Sequence, residues 1–194
     1  MATTSIPVLV RRLRSSAGVR AVEAAKELAG RSYTSAADSS AIIDAGGLPV
    51  LLQHLTSSHS SAYLREMAVI ILSGLASPDS NAAIAAAGTI PVLVQYLRST
   101  RRRIGQAAAF AVLCSVAKGS PERKAAIAAA GAVPVLIQLL DSDNSKDMQA
   151  AAAELLRTLT DSSPASSAAI TAAGAIPMIV QHLSSSALPA KSPA

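Results

Sequence analysis

The side chains able to do chemistry are few, and their spacing does not bring them together. The chain has 194 residues, among them three histidines, one cysteine, 12 carboxylates and 17 cations. A metal centre needs three or four ligands meeting at one point. His54 and His182 fill the same place in two copies of a motif described below, where the other copies carry Arg12, Tyr96 and Leu139. A place that accepts His, Arg, Tyr and Leu reads as a tolerant surface or edge site. His59 sits in a Ser-rich loop, so no metal site is expected. Cys114 would need an adjacent base and a positive environment to act as a nucleophile. Its neighbours are apolar, and it reads as a small buried hydrophobe. The chain has no GxGxxG, Walker loop, GxSxG or HExxH. The expectation is a protein that is not an enzyme and uses no cofactor.

Charge is the other chemical resource, and it is unevenly placed. Residues 1–103 hold 11 Lys/Arg against 6 Asp/Glu, whereas residues 104–194 hold 6 of each. Basic character gathers at Arg11, Arg12 and Arg14 and again at Arg98, Arg101, Arg102 and Arg103. The second cluster suits an acidic protein, a phosphate or an anionic lipid head group; a solvated loop is the plainer reading. Nucleic acid is not expected, because only 2% of residues are aromatic and single-strand binders stack bases on aromatic rings.

The elements that carry these residues follow from composition and repetition. Hydrophobic residues make up 51% of the chain, and alanine dominates them. Alanine is the best helix former, and a β-sandwich would draw on β-branched and aromatic side chains, so the fold class is all-α. One cysteine allows no disulfide framework. No apolar run reaches the roughly 18 residues of a membrane span. Four segments align without gaps: Ala45–Leu55, Ala87–Leu97, Ala130–Leu140 and Ala173–Leu183. Their prolines, Pro49, Pro91, Pro134 and Pro177, are spaced by 42, 43 and 43 residues, and Pro7 lies 42 before the first. The Arg-bearing, acid-poor start of the chain shares the motif, which favours a repeat over a targeting signal.

Each unit reads as three helices. A short first helix ends in Ile-x-x-Ala-Gly, where Gly supplies the left-handed residue. The motif proline opens a second helix with apolar residues one, two, three and six places later. A polar break follows, and then a longer third helix, as in Leu64, Ala68, Leu72 and Leu75 or Met148, Ala152, Leu156 and Leu159. Ser77-Pro78, Ser120-Pro121 and Ser163-Pro164 are placed to cap the next first helix. Gln53, Gln95, Gln138 and Gln181 mark the solvated side of the second helices. No unit of about 43 residues buries these faces alone, but stacked units do, giving a right-handed α-solenoid. The units are a partial one at 1–34, full ones at about 35–77, 78–119 and 120–162, and a partial one at 163–183. A disordered tail is expected at 184–194. Apolar helices at the two ends, Met178-Ile179-Val180 above all, suggest self-association through uncapped ends.

Gly-x-[Ile/Leu/Val]-Pro-x-Leu-[Val/Ile/Leu]-x-x-Leu after Ile-x-x-Ala-Gly resembles the second-helix signature of armadillo repeats, over Ile6 to Leu183. The flavour is similar to that of armadillo arrays following U-box domains in plant-type ubiquitin ligases and of vacuolar and scaffold armadillo proteins. The resemblance implies an armadillo-type solenoid that binds protein partners through the third helices lining its concave side. The alternative it implies is the substrate-recognition segment of a U-box-type ubiquitin ligase. Importin-like and β-catenin-like members carry an asparagine ladder on their third helices, and importin-like ones add a tryptophan four residues earlier. Aligning third helices by Leu-x-x-[Leu/Val] puts Glu27, Gly74, Ser115 and Thr158 at the asparagine position. Glu23, Ile70, Ala111 and Glu154 fall at the tryptophan position. None matches, which disfavours an importin-like cargo adaptor. With Glu66 added, Glu23, Glu27 and Glu154 give a locally acidic concave face suited to a helix or basic peptide. The expected location is the cytoplasm, with the nucleus as the second compartment.

Overall fold

A computed structural model describes residues 4–15, 18–140 and 145–160. The partial unit at 163–183, the tail, Gln181, His182 and the Ser163-Pro164 pair lie outside the described residues. Eleven α-helices and no strand occur among those described. The first unit contributes α1 (Ile6–Ser15) and α2 (Val19–Thr34). The second has α3 (Ala36–Asp44), α4 (Gly47–Thr56) and α5 (Ala62–Leu75). The third has α6 (Asn81–Ala86), α7 (Thr89–Ser99) and α8 (Arg103–Ala117). The fourth has α9 (Pro121–Ala129), α10 (Ala132–Leu140) and α11 (Lys146–Thr160).

The junction between first and second helices is built on glycine. Gly46, Gly88 and Gly131 have φ of 75°, 79° and 78°, a left-handed conformation open to glycine without a Cβ clash. The turn lets α9 and α10 meet at 75°. The second helices start earlier than the sequence implied. Pro49, Pro91 and Pro134 stand third in α4, α7 and α10 rather than first. The difference is harmless, since the first four N–H groups of a helix have no intrahelical acceptor. Ser120 caps α9 as expected, its Oγ accepting from Arg123 N at 3.2 Å with Pro121 in the first turn. Ser77-Pro78 does not cap α6. The chain instead makes a turn in which Ser80 Oγ donates to Leu75 O at 2.5 Å, and the helix begins at Asn81.

The units stack in layers. Each third helix packs on the next, in the order α2, α5, α8, α11, and each second helix follows the same order through α1, α4, α7 and α10. The third-helix layer is the more closely packed of the two, so it forms the inner side of the arc and the second helices the outer one. Leu64, Ala68, Leu72 and Leu75 are buried, as are Met148, Ala152, Leu156 and Leu159, in one continuous core. Of the exposed second-helix residues, Gln53, Gln95 and Gln138 face solvent. Ile6, Leu9, Val10 and Leu13 of α1 are buried, while Arg11, Arg12 and Arg14 are exposed.

Close approach in the inner layer depends on small side chains. A Cβ on Gly74 of α5 would lie 2.8 Å from Ser32 Cβ and 3.0 Å from the Ser32 carbonyl carbon on α2. Gly30, on the same inner layer, has nothing within 4 Å of such an atom. The two glycines should therefore respond in opposite directions to the same change. Gly30→Ala is expected to raise stability by about 0.5–1 kcal/mol through helix propensity. Gly74→Ala is expected to lower it by about 1–3 kcal/mol through overpacking. Denaturant melts of the two variants decide the point, and a Gly74→Ala protein as stable as the parent would contradict this packing.

Candidate functional site

The inner layer can now be read residue by residue. Buried positions Ala21, Ala24, Ala25, Leu28, Ala29 and Ser32 of α2 match Leu64, Met67, Ala68, Ile71, Leu72 and Leu75 of α5 at a constant offset of 43. That register moves the first unit by one helical turn from the sequence alignment. Arg31, rather than Glu27, is the counterpart of Gly74, Ser115 and Thr158. Glu27, rather than Glu23, is the counterpart of Ile70, Ala111 and Glu154. The sequence alignment erred because α2 has alanine where the other third helices carry leucine, so the Leu-x-x-Leu anchor was misplaced.

The expected acidic character of this face is largely neutralised. Glu27 is half-buried and pairs with Arg31 at 2.7 Å, one helical turn away. Glu154 is exposed and takes both Nη2 and Nε of Arg157, at 2.7 and 2.9 Å. Hydrogen bonding from Arg157 holds the Glu154 carboxyl below its ordinary pKa. Glu66 does not project into an open groove. It is 5% exposed, and Arg102 from the next unit covers it, with Nη2 at 2.5 Å and Nε at 2.7 Å. Both nitrogens reach the same oxygen, Oε2, and this contact also raises the guanidinium pKa of Arg102. Glu23 is exposed at the far end of α2, beside Arg12, Ser15 and Arg20 around a recess of about 450 Å³.

The remaining candidates are small or turned inward. Ala111 is exposed on α8, and Ile70 and Gly74 are half-buried on α5. Thr158 is buried and its Oγ1 donates to Glu154 O at 2.8 Å. Ser115 is held by Asn81, whose Nδ2 donates to the Ser115 carbonyl at 2.8 Å and to its Oγ at 3.1 Å. Sequence reasoning looked for an amide on the third helix and missed this one. Asn81 opens the first helix of the same unit, directly after the Ser-Pro-Asp-Ser turn that places it. Tyr33 is an exposed aromatic on α2 whose hydroxyl hydrogen-bonds Ser73 on α5.

Of the basic cluster, Arg98, Arg101 and Arg103 are exposed, and Arg102 is committed to Glu66. The histidine position is a surface site in only part of the array: Arg12 is exposed there, whereas Tyr96 and Leu139 are buried. His54 is half-buried, with Nε2 2.9 Å from Leu13 O and Nδ1 2.9 Å from Ser60 Oγ. A carbonyl only accepts, so Nε2 carries the hydrogen and ties α4 to the last turn of α1. Burial pushes Tyr96 above its ordinary pKa. Burial also pushes the half-buried Cys114 thiol up to about 11, with Glu154 adding to the shift. Among the described residues no group of three or more His, Cys, Asp or Glu side chains is placed to hold a metal ion.

Comparison with known proteins agrees with this geometry. Residues 120–161 match the family described as Armadillo/beta-catenin-like repeat. The fold is similar to an engineered protein solved by crystallography, at TM-score 0.80 and 31% identity, over 92% of this chain and 72% of that one. A second engineered protein is similar at TM-score 0.83 and 33% identity, over 94% of this chain and 44% of the other. The chain belongs to the armadillo repeat family. A designed armadillo repeat protein in complex with the peptide (KR)4 shares the fold at TM-score 0.80 and 21% identity, over 91% of this chain and 73% of that one. No curated protein matches the sequence.

Two outcomes follow for this armadillo array. Arg102→Ala leaves the Glu66 carboxylate buried without its partner, whereas adding Glu66→Gln removes the stranded charge. The single variant should therefore melt lower than the double, and equal melting temperatures would remove Glu66–Arg102 as a clamp between units. The Cys114 thiol should alkylate with iodoacetamide at pH 8 at least about tenfold more slowly in the fold than in urea, because only the thiolate reacts. Equal rates would show that burial does not hold the thiol protonated.

Proposed function

We propose that this armadillo chain is a non-enzymatic interaction scaffold that takes a partner peptide or helix on its inner face. The observation that carries the reading is the unbroken layer of α2, α5, α8 and α11, exposing small residues between Glu–Arg pairs. Small side chains leave room for a partner backbone or helix to approach closely. The paired carboxylates and guanidiniums offer both donors and acceptors along that approach. Glu27 and Glu154 remain the acidic contacts, with Ile70, Gly74, Ala111 and Ser115 as the floor between them, while Glu23 lies away from them beside Arg12 and Arg20. Glu66 and Thr158 act from beneath, holding the layer in shape. A partner helix suits this face better than an extended strand, since the described residues of its third helices present no row of amides to grip a backbone. The designed relative with its (KR)4 peptide supports peptide recognition as a use of the fold. A single cysteine with no disulfide to make fits a reducing compartment, the cytoplasm or nucleus.

Site-specific photo-crosslinking tests the proposal. A benzophenone side chain at Ala111 on the inner face should capture a partner in the native cell, and one at Gln95 on the outer face should not. Both positions are exposed, so neither substitution threatens the fold. Capture at Gln95 with none at Ala111 would place the partner on the wrong side for this reading.

A further inference from the structure

The repeat places the loops between second and third helices of the first three units along one edge of the array, and this edge is distinct from the inner face. Segments 11–23, 56–66 and 98–106 form it in the first three units. They contain nine arginines and two glutamates, more than half of the 17 cations of the whole chain. Glu66 is spent on Arg102, and Glu23 is the other acid. The opposite edge is mixed: segments 34–44 and 76–86 hold Asp38, Asp44 and Asp79 and no cation, whereas segment 118–124 holds Lys118, Arg123 and Lys124 beside Glu122. A cleft of about 460 Å³ opens there, with Ser35, Ser39, Asp44, Ser77 and Asp79 among its lining residues.

The basic edge also carries exposed aliphatic side chains. Val19, at the start of α2, is 74% exposed, and Ile104, at the start of α8, is 67% exposed. They are two of the three large hydrophobic residues left exposed among the described residues, and the third, Tyr33, is elsewhere. Each sits beside arginine: Val19 next to Arg20, and Ile104 after Arg101, Arg102 and Arg103. Val19 and Ile104 both stand at the start of a third helix, so the repeat places them on the same edge, two units apart.

We propose that this edge docks the protein on an anionic lipid bilayer, with Val19 and Ile104 entering the interface and the surrounding arginines pairing with head-group phosphates. Arginines attract a negatively charged leaflet, and aliphatic tips add apolar burial that an acidic soluble protein offers only through a matched pocket. Docked in this way, the inner face stays open to a partner.

Vesicle sedimentation of the full chain tests the inference, comparing pure phosphatidylcholine with phosphatidylcholine containing about 30% phosphatidylserine, a composition chosen for a negative surface. The anionic vesicles should carry down at least about tenfold more protein, and raising salt to about 0.5 M should release it. The triple variant Arg20→Gln, Arg101→Gln, Arg103→Gln should lower the partition coefficient at least about tenfold. Val19→Asp with Ile104→Asp should also weaken it, at an unchanged melting temperature because both sites are exposed. Equal sedimentation with both vesicle types, or unaltered binding by the Asp variant, overturns the proposal. Binding to polyglutamate without binding to vesicles also overturns it, in favour of an acidic protein. Loss of vesicle binding with photo-capture at Ala111 intact separates this inference from the inner-face function.

Discussion

No helix in this array can hide its apolar side within its own unit, and that single constraint organises everything else. Each third helix must press against the third helix of the next unit, because nothing else is available to cover it. The pressure is greatest on the inner side of the arc, where Gly74 meets Ser32 and alanines fill much of α2 and α8. Small residues permit that approach, and the approach in turn produces the curvature. Fold and binding surface thus share one cause: a chain of near-identical modules that stay folded only by leaning on each other.

The same closeness changes what charge can do. Carboxylates on tightly stacked helices find themselves within reach of arginines one turn or one unit away. Glu27 and Glu154 pair within their helices, and Glu66 pairs across units with Arg102. The exposed intrahelical pairs contribute little to stability, since solvent screens them. Glu66 differs because it is desolvated, and a desolvated carboxylate depends on its partner. An arginine that looks like part of a free basic loop is therefore partly structural. The inner face is mixed in sign, which favours geometric fit over bulk attraction in choosing a partner.

Much of this was legible in the sequence, and the reasons are physical. The period, the left-handed glycines and the burial of α5 and α11 follow from local rules that every unit obeys: helix spacing, proline and the glycine turn. What escaped were features set by contacts between helices and by one local turn. The register of α2 needs knowledge of which alanines are covered, and an alanine-rich helix does not reveal that by hydrophobicity alone. His54 looked like a surface residue because its counterparts differ, yet its ring bonds Leu13 O and Ser60 Oγ. Asn81 was hidden because its partner, Ser115, lies on another helix. Pro78 was expected to start a helix, as Pro121 does, but Ser80 closes a turn on Leu75 first. Residues 161–194 contribute nothing to the comparison, as they lie outside the described residues.

Repetition also explains where individuality resides. Positions that enter the core are filled mostly by apolar residues in every unit, although their volume changes, as from Ala21 and Ala29 in α2 to Leu64 and Leu72 in α5. Loops on the two edges are under no such demand. One edge has gathered arginine in the first and third units, around the exposed aliphatics Val19 and Ile104, while its second-unit loop holds Arg65 against Glu66. The other edge carries Asp38, Asp44 and Asp79 in two segments and Lys118, Arg123 and Lys124 beside Glu122 in the next. Edge charge thus changes from unit to unit while the period does not, because the period is required to fold and the edge charge is not. A feature that folding does not require is where a search for this protein's surroundings should begin.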